Sequence, residues 1–90
     1  MKSIGSRAFS GCTALESVAL PEGVEEICDG AFCYCPSLVE IALPHSLRTI
    51  GYNAFRGCGK LRSIVIPDGV SAIANGTFFG CRRLESVVLP

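Results

Sequence analysis

A register of 23 residues runs through the whole chain and limits its fold more than any other feature. Aligned on that period, Ile4, Ile27, Ile50 and Ile73 fall in one column, and Phe9, Phe32, Phe55 and Phe78 in another. Cys12, Cys35, Cys58 and Cys81 form a third column, and Leu15, Leu38, Leu61 and Leu84 a fourth. Val18, Ile41, Ile64 and Val87 come next, and then Pro21, Pro44, Pro67 and Pro90. No insertion or deletion breaks the register. A repeat of this length is one supersecondary unit that buries its apolar face only against its neighbours, which describes a solenoid. The period therefore predicts one domain over residues 1–90, with repeats near 4–26, 27–49, 50–72 and 73–90.

The second unit shows how each repeat is expected to fold. Residues 38–43 place Leu38, Ile41 and Leu43 inward around the polar Glu40, as a short strand does. Pro44 has no N–H to give a ladder, so the strand stops there. The same block recurs at residues 15–20, 61–66 and 84–89. Strands in identical register joined by long crossovers pair in parallel. Ile27, Ala31, Phe32 and Cys35 then have spacings that suit one tight helical turn laid against the core. Gly11, Gly57 and Gly80 precede the column cysteine, where a left-handed residue would end such a turn. Tyr34 stands there in the second repeat, so that turn is either strained or built differently.

Composition narrows the class further. About half of the residues are apolar (49%), enough for a repeat array and too many for a disordered tail. No apolar run approaches the ~20 residues of a bilayer span, and residues 1–7 enter the repeat without a signal-peptide core. The chain starts and stops inside its own pattern, as a segment of a longer array would, and a cytoplasmic chain is the alternative. Net charge is zero, but residues 1–45 carry a net −4 and residues 46–90 a net +4. In a solenoid, sequence position is axial position. One end is then acidic and the other basic, and head-to-tail self-association follows as a possibility.

Four of the six cysteines share one column and read as small buried apolar groups. Cys28 and Cys33 lie outside it. Their spacing with Cys35 matches no familiar zinc pattern and lacks a fourth ligand, so no metal or cofactor is expected. Cys33 could be an exposed, oxidisable thiol. A single histidine, with no nucleophile motif and no phosphate loop, gives no basis for catalysis.

The pattern I-G-x-x-A-F-x-G-C-x-x-L-x-S-V-x-L-P-x-G-V, clearest at Ile50–Val70 and Ile4–Val24, resembles the 23-residue BspA-like class of leucine-rich repeat. Departures are few: Cys28 and Ala74 for glycine, Tyr34 for glycine, and Thr77 for alanine. Thr77 would turn a hydroxyl toward the core, tolerable if it bonds to nearby backbone. The resemblance implies an α/β-repeat fold: a right-handed leucine-rich-repeat solenoid with a parallel β-sheet on its concave face and short helical turns opposite. It also implies the setting of surface or secreted arrays that bind other proteins.

Two surfaces are candidates for recognition. On the concave sheet the outward columns are Glu16, Val39, Arg62 and Glu85; Ser17, Glu40, Ser63 and Ser86; and Ala19, Ala42, Val65 and Val88. They vary on an otherwise regular frame, and the Ala/Val column makes a narrow apolar stripe suited to a protein partner. No aromatic anchor sits in them; the off-core aromatics Tyr34, Tyr52 and Phe79 lie on the turn side. Arg56, Lys60, Arg82 and Arg83 form a candidate anion patch that could attract an acidic glycan. Zero net charge and the lack of interleaved aromatics speak against nucleic acid. The sequon Asn75-Gly76-Thr77 is weakened by the inward reading of Thr77. A protein-interaction module is the leading expectation, and a structural spacer or self-assembling segment is the alternative.

Overall fold

In the computed structural model, residues 2–89 are described; Met1 and Pro90, the last member of the proline column, lie outside them. Each coil contributes two short strands. The Ser-Val/Ile blocks form β2 (Ser17–Ala19), β4 (Glu40–Ala42), β6 (Ser63–Val65) and β8 (Ser86–Val88). The isoleucine column anchors β1 (Lys2–Ile4), β3 (Val24–Ile27), β5 (Thr49–Ile50) and β7 (Ala72–Ile73). Every pairing is parallel, and all keep the 23-residue register, as with Val18 opposite Ile41, Ile27 opposite Ile50 and Ile50 opposite Ile73, except at Lys2, which pairs with Val24 across a register shift at the start of β1. The strand period carries apolar side chains inward along both faces.

Two features depart from the sequence expectation. The first is a second sheet, β1-β3-β5-β7, which includes the isoleucine column, whose member Ile27 was read as the start of a helical turn. The expected single sheet is instead two ladders, β2-β4 and β6-β8. β4 and β6 lie side by side without strand pairing, joined by the Arg62 N–H donating to the Val39 carbonyl at 3.2 Å.

The second departure corrects the helical turns: no helix occurs among the described residues. Along the first coil, the N–H groups of Ala8, Ser10 and Cys12 donate to the carbonyls three residues back, of Gly5, Arg7 and Phe9. The intervening N–H groups of Arg7, Phe9 and Gly11 donate across to Asp29, Ala31 and Cys33 of the next coil at 2.8–3.0 Å. The third coil repeats this, with Asn53, Phe55 and Gly57 donating to Asn75, Thr77 and Phe79. An α-helix keeps all its N–H groups in one intrasegment ladder. This segment spends every second one on its neighbour.

Backbone handedness produces the alternation. Arg7 (φ 58°), Gly30 (67°), Asn53 (57°) and Gly76 (75°) form one left-handed column. Gly11 (73°), Tyr34 (58°), Gly57 (76°) and Gly80 (79°) form a second. A left-handed residue in mid-segment cannot continue a right-handed helix. Tyr34 keeps the turn its glycine counterparts make and adopts the left-handed conformation to do so.

Inside, the columns are ladders. The rings of Phe9, Phe32, Phe55 and Phe78 stack at centroid separations of 5.2, 5.6 and 6.0 Å, within 7° of parallel. Beside them the Cys35, Cys58 and Cys81 thiols donate to the carbonyls of Phe9, Phe32 and Phe55 at 3.1 Å. All six cysteines are free thiols. Burial pushes the Cys58 thiol from 9.0 up to about 12, and raises those of Cys35 and Cys81. Cys33 is not the exposed thiol its column suggested: it is buried, with Sγ 3.0 Å from the Ser10 hydroxyl oxygen. Its neighbour in the previous coil is a small serine, which leaves room for the sulfur to turn in. Thr77 is buried as expected, and its hydroxyl donates to the Ala74 carbonyl at 2.6 Å.

Candidate functional site

The strand face presents what the alternation requires. Val18, Ile41, Ile64 and Val87 point into the core or its margin, and all twelve outward candidates are exposed: Glu16, Ser17, Ala19, Val39, Glu40, Ala42, Arg62, Ser63, Val65, Glu85, Ser86 and Val88. Val65 stands out of the stripe with 61% of its surface exposed. Where β4 and β6 fail to pair, a depression of about 370 Å³ opens between Glu40, Ala42, Ser63 and Val65. A smaller one of about 260 Å³ lies along Ser17, Ala19, Glu40 and Ala42. The other six candidates are exposed outside these depressions. Arg62 and Glu85 form a solvent-exposed ion pair at 3.5 Å, worth little energy but fixing the polarity of that edge.

Sequence reasoning missed the lower wall of the larger depression, made by Leu43, His45 and Pro67. The His45 N–H donates to Glu22 Oε2 at 3.0 Å, and His45 Nδ1 lies 3.7 Å from the same oxygen. The signal was present: the proline column places each strand exit beside the previous one.

The proposed anion patch is divided. The Arg56 guanidinium carbon sits 4.7 Å above the Phe79 ring centroid. Arg56 and Arg82 line a cavity of about 300 Å³ with Tyr34 and Phe79. Lys60 and Arg83 are exposed and line none of the described cavities. On its other side Arg56 meets a polar cavity of about 350 Å³ with Arg7, Asp29, Tyr34, Tyr52 and Asn53. Arg7, Asp29 and Asn53 were not singled out from sequence, because adjacent coils bring them together. Asp29 Oδ1 accepts the Tyr52 N–H at 2.9 Å, which fixes the rim of that cavity.

The raised thiols stay protonated at neutral pH and are poor nucleophiles. Among the described residues, no group of three or more His, Cys, Asp or Glu side chains could hold a metal ion. No helix of the described residues is long and apolar enough to cross a membrane.

Solved structures with the same architecture are leucine-rich repeat proteins. One from Bacteroides capillosus ATCC 29799 superposes with a TM-score of 0.90 at 32% identity, over 100% of this chain and 64% of its own. One from Bacteroides ovatus ATCC 8483 gives 0.84 at 35% identity, over 100% of this chain and 29% of its own. A leucine-rich cell surface protein of Faecalibacterium prausnitzii A2-165 gives 0.64 at 29% identity, over 99% and 30%. The chain thus spans from about a third to about two thirds of the length of these proteins. No match was found among curated proteins. The family model for the BspA-type leucine-rich repeat region matches in six copies over residues 1–90. The two ladders of strands, the coil-to-coil register and this match over the full sequence agree: the chain belongs to the BspA-type leucine-rich repeat family.

Proposed function

We propose that the chain is a non-catalytic protein-interaction segment of a longer leucine-rich-repeat surface protein, and that it engages its partner through the concave strand face. One observation carries this reading. All twelve outward strand-face residues are exposed, and their columns mix residue types, most of all Glu16, Val39, Arg62 and Glu85, while their inward neighbours Val18, Ile41, Ile64 and Val87 stay branched and aliphatic. A frame that repeats beneath a surface that varies is how a rigid scaffold acquires specificity. The Ala19, Ala42, Val65 and Val88 stripe supplies an apolar centre, with Glu40, Ser63 and Arg62 as its polar rim. A surface setting is supported by the Faecalibacterium neighbour, which is described as a cell surface protein.

The test is a surface-binding assay of a panel of purified extracellular proteins over the immobilised chain, alongside the double variant Ala42→Arg, Val65→Arg. Both sites are exposed, so the double variant should stay within about 1 kcal/mol of the parent in stability. A partner bound by the parent should lose affinity about tenfold or more, or 1.4 kcal/mol. A partner indifferent to the variant would rule out the strand face.

A spacer is the second reading, favoured by the lack of an aromatic anchor in those columns. It expects no partner at all. Assembly that grows with concentration and shrinks with salt would instead favour a self-assembling segment, driven by the −4 and +4 halves.

A further inference from the structure

Among the described residues, three other than glycine adopt the left-handed backbone, Arg7, Tyr34 and Asn53, and all three line the same cavity of about 350 Å³ on the turn face. Residues with a Cβ enter that region at a cost, and such outliers concentrate at binding sites. The fold does not ask for the tyrosine, since the other coils place Gly11, Gly57 and Gly80 at its position. The Tyr34 ring lies over Gly57, where an added Cβ would meet its Cδ1 at 2.5 Å, and the residue is 53% exposed.

Arg56 lies beside it. Its guanidinium rests on Phe79, and its Nε is shielded from solvent with no hydrogen-bond partner. Tyr34 and Arg56 also bound the adjoining cavity that holds Arg82, so the two cavities make one trough. Among the described residues, Arg7, Arg56 and Arg82 make no ion pair. The one carboxylate facing the trough, that of Asp29, is engaged with the Tyr52 N–H.

We propose that this trough is a binding site for an acidic saccharide, a pyranose carrying a carboxylate or sulfate. Exposed rings of Tyr34 and Tyr52 offer flat apolar faces for a sugar ring, each with a polar hydroxyl at its edge. The guanidinium forks of Arg7 and Arg56 match a carboxylate or sulfate in two-point geometry, and Asn53 adds an amide for ring hydroxyls. An acidic peptide would also feel the arginines, but it lacks a backbone edge to pair with here. The Gly30 and Tyr34 N–H groups are already donated to Tyr52 and Arg56 of the next coil. This site is separate from the strand face and does not depend on the function proposed above.

Calorimetric titration of the whole chain tests it with three probes at one physiological salt concentration: a heparin tetrasaccharide, cellotetraose and hexaglutamate. The tetrasaccharide should bind, with the other two at least about tenfold weaker. Tyr34→Gly and Arg56→Gln should each weaken it by about tenfold or more. Tyr34→Gly restores the residue of the other coils, so its melting temperature should not fall, which separates a binding role from a structural one. The proposal is overturned if the tetrasaccharide does not bind or binds both variants as it binds the parent. It is also overturned if hexaglutamate binds as tightly, which would make the trough an acidic-peptide site or a plain charged patch. The Ala42→Arg, Val65→Arg variant should bind the tetrasaccharide as the parent does; loss of binding there would move the site off the turn face and overturn the proposal.

Discussion

Phe55→Ala should unfold the chain or lower its melting temperature by more than about 12 °C, the equivalent of roughly 3–5 kcal/mol. Phe55 is fully buried and stacked on both faces, by Phe32 at 5.6 Å and Phe78 at 6.0 Å. Removing it takes away one ring and the packing of two others. The coils on either side are fixed by backbone bonds at this point: the Phe55 N–H donates to the Thr77 carbonyl, and the Ala54 carbonyl accepts the Phe32 N–H. They cannot close on the void without shearing that ladder. Phe9→Ala is the internal comparison. Phe9 stacks on one face only and is 39% exposed, so its loss should cost clearly less. A domain of this size has a net stability of about 5–15 kcal/mol, so the first substitution removes a large share of it. Equal melting shifts for the two variants would mean that the aromatic column is not a continuous stack.

The second large effect is a loss of stability in alkali. The Cys58 thiol is fully buried, and burial lifts it from 9.0 to about 12. Below pH 9 the thiol is protonated in both folded and unfolded chains, and the advantage of the buried neutral form is intact. Between pH 9 and 12 only the unfolded chain ionises it, so each pH unit shifts the balance toward unfolding by about 1.4 kcal/mol. The full loss approaches about 4 kcal/mol near pH 12. Cys35 and Cys81 are raised by the same cause and act in the same direction. Urea midpoints measured at pH 8, 10 and 11 for the parent and for Cys58→Ala isolate the contribution. Other titrating groups are common to both proteins and cancel. The parent should lose stability with pH more steeply; parallel slopes would mean that Cys58 is accessible to solvent in the folded chain.

The Phe, Cys, Leu and Val/Ile ladders were legible in the sequence because the register never slips, so each column must stack on itself. The outward strand residues were legible for a related reason: once Ile41 and Ile64 are assigned inward, Glu40, Ala42, Ser63 and Val65 have only the other face. The second sheet was not. Thr49–Ile50 and Ala72–Ile73 are strands of two residues, too short to alternate, and the isoleucine column fits a helical turn as well as a strand. The turns were misread because spacing cannot separate a helix from alternating turns. Backbone handedness can, but its signal was half hidden. Gly30 and Gly76 mark the left-handed column, while Arg7 and Asn53 occupy the same positions. The turn-face cavity escaped notice for the same reason: Tyr34 stood out as a departure from glycine, but Arg7 and Asn53 look unremarkable until the backbone shows what the three share. Cys33 was misplaced because its column holds a serine, an arginine and a phenylalanine, which set no common burial.

The coil-to-coil bonding of the turn face is tested most directly by NMR couplings across hydrogen bonds, measured through residues 28–35 and 51–58. The expected couplings join the Phe32 N–H to the Ala54 carbonyl and the Phe55 N–H to the Thr77 carbonyl, with Ala31 and Ala54 bonded three residues back. A run of couplings from each N–H to the carbonyl four residues earlier would make these segments helical and contradict the alternating architecture.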